Sequence, residues 1–210
     1  MSPALARTSD EAIVRAARSL LEEGGLDAVT MQGVADRVGV RAPSLYKHVA
    51  GRAALIGVVA ADVIGELDGA LAPALRAADP AEAVRIAAGN YRAFARHSPG
   101  AYQLLFSRLL PQARPSPEAN AAGAAGVLFI AQRLVGPARA LEAARLLTAF
   151  VHGFVSMELA GAFRLGGDVD GAFEYALETI LRGLAPRRRG KPQAAPGGRL
   201  HDRERLHDLD

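Results

Sequence analysis

Apolar residues recur at Ile13, Ala16, Ala17, Leu20 and Leu21, the i, i+3, i+4 spacing of one face of a helix. Ahead of that stripe, Thr8-Ser9-Asp10-Glu11 predicts a capping box, with the Thr8 hydroxyl accepting from the Glu11 N–H and the Glu11 carboxylate reaching back. Gly24-Gly25 closes the helix. Thr30 is an N-cap for a short second helix with Val34, Ala35 and Val38 on one face, and Gly39 stops it. A third begins at Ala42-Pro43, where proline suits the first turn, and buries Leu45 and Val49 before Gly51 ends it. Two short helices around a glycine turn form a helix-turn-helix.

Longer helical patterns follow, punctuated by proline and glycine. One runs from Ala53 to Ala77, kinked or shortened by Pro73. The next runs from Ala81 to His97, and a short one from Pro99-Gly100 through Leu110. A three-proline loop spans Pro111 to Pro117. Helices then cover 118–134, 137–161 and 169–183, the last entered after Gly166-Gly167-Asp168. No segment alternates with period two, so the expected fold is all-α. The predicted division is a helix-turn-helix domain over residues 8–52, a larger helical domain over 53–184 and a disordered tail over 185–210.

Composition adds little and excludes more. Half of the 210 residues are hydrophobic and 5% aromatic, which suits tightly packed helices with an ample core. Cysteine is absent, which removes disulfides and thiolate metal sites. The first ten residues lack the apolar core of a signal peptide, and every apolar stretch is broken before membrane-spanning length, so a cytoplasmic protein is the expectation. The net charge of +3 lies entirely in residues 185–210, with seven Lys/Arg against four acids, including the run Arg187-Arg188-Arg189-Gly190-Lys191, read as a solvated tail. Any nucleic-acid footprint must therefore come from local clustering.

Such a cluster lies between Arg37 and Arg52: Arg37, Arg41, Lys47 and Arg52 with His48 and no acid. Ala42 and Ser44 are small enough for the start of the third helix to approach base edges, while Tyr46, Lys47 and His48 can reach phosphates. Thr30 can offer a hydroxyl and backbone N–H groups to a phosphate from the second helix.

Over residues 8–56, and most strongly from Val34-Ala35 through Gly39-Val40 to Ser44-Leu45-Tyr46-Lys47-His48, the chain resembles the tetracycline-repressor-like (TetR) family of bacterial transcriptional regulators. Val49 stands where members often have Phe, and Arg52-Ala53 where they have Lys-Glu. The resemblance implies that the third helix enters the major groove, with Arg41, Ala42, Pro43 and Ser44 nearest the bases. Thr30, Tyr46, Lys47 and His48 would lie on phosphates, with Gln32 among the contacts. Ala42 and Pro43 offer no side-chain hydrogen bond to a base, so direct readout would lean on Arg41 and Ser44. The segment Phe150-Val151-His152-Gly153 resembles a C-terminal class named for a Trp-His-Gly signature, with Phe150 near the expected Trp. It implies a homodimer through helices 137–161 and 169–183, and a small apolar effector bound in the larger half.

Among the larger side chains, Tyr91, Phe94, His97, Tyr102, Phe106, Phe129, His152 and Phe154 are the candidates to line an effector pocket, although at helical spacing most would be core. A metal role for His152 is disfavoured because Val155 and Ser156 occupy its i+3 and i+4 positions. No cofactor is expected. The chain carries no nucleophile elbow, P-loop, dinucleotide fingerprint or metal-spaced cluster, which argues against an enzyme. The leading expectation is a ligand-responsive repressor that binds a palindromic operator as a dimer and is released by its effector. The alternative is an all-helical small-molecule-binding protein with no DNA-reading role.

Overall fold

The computed structural model describes residues 9–107, 111–114 and 117–185, and within them every regular element is a helix. The expected disordered tail beyond Ala185 lies outside the described residues. The helices are α1 (Asp10–Ala28), α2 (Met31–Val38), α3 (Ala42–Leu45), α4 (Arg52–Leu75), α5 (Pro80–His97), α6 (Pro99–Phe106), α7 (Pro117–Val135), α8 (Ala140–Leu159) and α9 (Val169–Leu184). Single 3-10 turns at Pro111–Ala113 and Pro137–Arg139 lead toward α7 and α8.

Local chemistry sets most boundaries. Ser9, in extended geometry, caps α1 by accepting from the Ala12 N–H at 3.2 Å. The cap is therefore one residue later than the expected Thr8, which lies outside the described residues, and Ala12 supplies no carboxylate to complete a capping box. Gly25 at φ 68° breaks α1 from its short continuation to Ala28. Thr30 caps α2 through the Gly33 N–H at 3.0 Å, and Gly39 closes it in the left-handed conformation at φ 81°. The assigned α3 is only four residues long, although hydrogen bonds from His48 and Val49 to the Leu45 carbonyl extend its turn. Pro73 shortens α4 rather than kinking it, since the helix ends two residues later. Asp79 and Asp168 cap α5 and α9. The expected helix through Leu110 stops at Phe106, and residues 108–110 lie outside the described residues.

One apolar core runs from the N-terminal three helices into the larger half. Ile13, Ala17, Leu21, Val34 and Leu45 belong to the same buried cluster as Leu55, Val59 and Val63 of α4. Side chains brace the same junction: Arg18 on α1 bonds to Asp62 at 2.9 Å and Glu66 at 2.6 Å on α4. The Glu22 carboxylate of α1 accepts from the Gly100 and Ala101 N–H groups at the start of α6, at 2.8 and 2.9 Å. Farther out, buried Arg92 of α5 joins Glu158 of α8 and Asp170 of α9, with its guanidinium 4.8 Å from the Phe173 ring centroid.

Candidate DNA interface and effector cavity

The N-terminal corner is built outward from Leu45, which is fully buried and pins α3 against Val34 and Ala35 of α2. With that face anchored, Arg41, Pro43, Tyr46, Lys47 and His48 are left exposed, and Ala42 and Ser44 are partly so. Tyr46 keeps 57% of its surface in solvent, so its ring and hydroxyl are open to a partner. Arg41 and Lys47 form no ion pair with any described residue, so both charges are available.

The other members of the basic cluster have partners inside the fold. Arg37 bonds to Ser19 and Glu23 of α1, with the Nη2–Oε2 contact at 2.8 Å. That guanidinium, with the Ser19 hydroxyl, holds the Glu23 carboxyl down at about 2. Arg52 donates to the carbonyls of Val29 at 2.7 Å and Leu26 at 2.6 Å. His48 Nδ1 lies 2.6 Å from Asp10 Oδ1, which ties the end of the α3 turn to the first turn of α1. Gln32 donates to Asp36 at 2.7 Å along α2. Thr30 uses an oxygen lone pair for its cap, leaving its hydroxyl proton free, and it stands exposed at the start of α2.

A cavity of about 780 Å³ lies between α4, α5, α6, α7 and α8. Its wall is mainly aliphatic, with Asp68, Tyr91, Arg145, Thr148 and His152 as the polar exceptions. Tyr102 stands behind the wall and directs His152: its hydroxyl lies 2.6 Å from His152 Nδ1 and 3.2 Å from Ser156 Oγ. The His152 ring meets Phe106 at a tilt of 36° with 3.8 Å between centroids, and burial lowers its basicity. Tyr91 meets Tyr102 edge-on at 5.7 Å. Among the described residues, no group stands in hydrogen-bond geometry to its buried hydroxyl. Burial first, and the Tyr102 hydroxyl second, push the Tyr91 phenol well above its ordinary value.

Of the eight aromatic and histidine candidates, Tyr91, Phe106 and His152 line this cavity, and Tyr102 touches it through His152. The other four lie elsewhere. Phe94 is buried core and His97 is exposed at the end of α5. Phe129 is half exposed beneath Arg133, and Phe154 packs among Phe150, Phe163 and Phe173. Asp68, Arg145 and Thr148 were not among the residues the sequence singled out, because their helical phase toward a gap is visible only once the neighbouring helices are placed. Among the described residues, no cluster of three His, Cys, Asp or Glu is arranged to hold a metal ion.

Residues 13–59 match the family model described as bacterial regulatory proteins, tetR family, and residues 84–180 match the one described as tetracyclin repressor-like, C-terminal domain. An uncharacterized HTH-type transcriptional regulator of Mycobacterium tuberculosis is 34% identical over 188 residues, covering 87% of this chain and 84% of that protein. The class A tetracycline repressor from transposon 1721 of Escherichia coli is 30% identical, covering 84% of this chain and 90% of its own. Among solved structures, a Rhodococcus protein of unknown function superimposes with a TM-score of 0.74 at 24% identity, covering 88% of this chain and 100% of its own. A substituted TetR of Acinetobacter baumannii, solved in complex with minocycline, superimposes with a TM-score of 0.62 at 24% identity, covering 84% and 96%. These structural likenesses establish the fold, while the sequence matches establish the lineage: this chain belongs to the TetR family of DNA-binding transcriptional regulators.

Proposed function

We propose that this protein is a ligand-responsive repressor that binds a palindromic operator as a homodimer and leaves it when an effector fills the cavity. The observation that carries the reading is the exposure of Tyr46 and Lys47, with Arg41, on an α3 whose opposite side is fixed by buried Leu45. Residues 8–52 act as the reading domain and 53–184 as the effector and dimer domain. Arg41 and Ser44 face base edges with Ala42 and Pro43 beside them. Thr30, Gln32, Tyr46, Lys47 and His48 meet the backbone, His48 from a position set by Asp10. The protein works in the cytoplasm, and among the described residues no helix is long and apolar enough to cross a membrane.

Dimerisation through α8 and α9 is supported by Leu146, Met157 and Tyr175, which expose 46%, 50% and 71% of their surfaces on those helices. Ala149 and Gly153 lie between them and permit close approach. With two reading heads held at one spacing, a small rigid-body shift weakens both half-site contacts together. The cavity is joined to the reading head through α6, which contributes Phe106 to the wall and receives Glu22 of α1 at its other end.

Fluorescence anisotropy with a labelled duplex from the DNA flanking its own gene tests the assignment. Tyr46→Ala combined with Lys47→Ala abolishes specific binding without lowering the melting temperature. Undiminished binding by that variant would remove α3 as the reader.

A further inference from the structure

The cavity wall contains a carboxylate that the protein leaves without a counter-ion. Asp68 is partly buried on α4, close to Gly123 of α7, and has neither a hydrogen bond nor an ion pair with any described residue. Burial pushes its carboxyl above the usual range, with no cation or donor acting in the other direction. Other carboxylates of α4, α8 and α9 are treated differently. Asp62 and Glu66 hold Arg18, Glu158 holds Arg92, and Glu178 holds Arg85.

No cation in the wall is paired with Asp68. His152 is disfavoured as a cation by its burial and offers Nδ1 to Tyr102. Arg145 lines the same cavity but is exposed and makes no ion pair with Asp68. An apolar ligand that fills the space would strip the remaining water from Asp68 and gain nothing there. An anion would meet it as a like charge. A ligand with a positive head recovers the desolvation cost and keeps its apolar body against the aliphatic wall.

We propose that the effector cavity takes an organic ammonium ion carried on an apolar body, with its positive head held by Asp68. This rests on the cavity being the effector site and narrows the effector from a small apolar molecule to a cationic amphiphile. Tyr91 lines the same wall.

The experiment is calorimetric titration of the full chain with decylamine, decan-1-ol and decanoate, a set that differs only in the head group, each kept below micelle formation. The amine binds at least about tenfold more tightly than the alcohol, and decanoate binds most weakly. Asp68→Asn removes that margin while leaving alcohol binding intact, and Arg145→Ala leaves the amine unaffected. Because Asp68→Asn deletes an unpaired charge, its melting temperature does not fall, so a loss of amine binding is not a loss of folding. Decanoate binding that equals or exceeds the amine and depends on Arg145 overturns the proposal, as does Asp68→Asn binding the amine normally or no probe binding at all. If the amine binds through Asp68 without changing affinity for the flanking DNA, the head-group assignment stands and the ligand-responsive reading fails.

Discussion

The contact of Glu22 with the start of α6 is a direct polar link between reading head and cavity, and it can be removed one side chain at a time. Ser98, at the N-cap position of α6, provides no side-chain cap, and both Glu22 oxygens accept from that helix start instead. A side-chain cap exchanged for alanine costs about 0.5–2 kcal/mol. Glu22 is exposed, so screening by solvent places the expected loss for Glu22→Ala near the middle of that range, at roughly 1 kcal/mol. For a chain of about 200 residues this lowers the melting temperature by about 2–4 °C.

The same junction can be attacked from the other side. A Cβ added at Gly100 would sit 2.6 Å from the Leu21 carbonyl oxygen, a backbone atom that cannot swing away. Gly100→Ala therefore costs about 1–3 kcal/mol by overpacking. Thermal unfolding followed by circular dichroism reads both variants, and anisotropy with and without effector reads whether they keep the proposed control of DNA affinity by the cavity. A Glu22→Ala protein that melts with the wild type and responds fully to effector would refute the role given to this contact.

The remaining predictions concern charge and assembly. Glu23 is held at about 2 rather than 4.5 by Arg37 and Ser19, so its stabilising effect is complete above its ordinary value and is lost as pH falls toward 2. The melting-temperature advantage of wild type over Glu23→Gln is present at pH 7 and shrinks between about 4.5 and about 2. Asp68 has the opposite sign: burial raises its carboxyl, so the ionised form is a cost to folding at neutral pH, and that cost is relieved as pH falls through the raised value and is gone by 3.8. Asp68→Asn therefore melts higher than wild type at neutral pH, and the difference closes in acid. Leu146→Glu, on the proposed dimer face, converts the proposed dimer to a monomer by sedimentation equilibrium while α-helical content is unchanged.

The sequence revealed what local chemistry controls and missed what packing controls. Thr30 and Gly39 bound α2 through hydrogen bonds and a left-handed turn that depend only on near neighbours, so both were legible. The α1 cap fell one residue late because Thr8 and Ser9 carry equivalent hydroxyls, and only backbone geometry chooses between them. A run of four basic residues suggested one charged face. Glu23 and the carbonyls of Leu26 and Val29, brought close by the turn after α1, take Arg37 and Arg52 out of it. The candidate effector cavity was the least legible part. Phe94 and Tyr91 are three residues apart on α5, yet Phe94 enters the core and Tyr91 the cavity wall, a choice made by the helices opposite.

The central claim is that the exposed turn of α3 meets the DNA backbone, and the salt dependence of binding tests it most directly. Removing one cation from a phosphate makes the slope of log affinity against log salt shallower by about 0.9. A dimer stripped of both Lys47 ammonium groups should therefore show a slope shallower than wild type by roughly 1.8, with binding weakened uniformly across sequences. A Lys47→Ala protein with the wild-type slope would contradict the account.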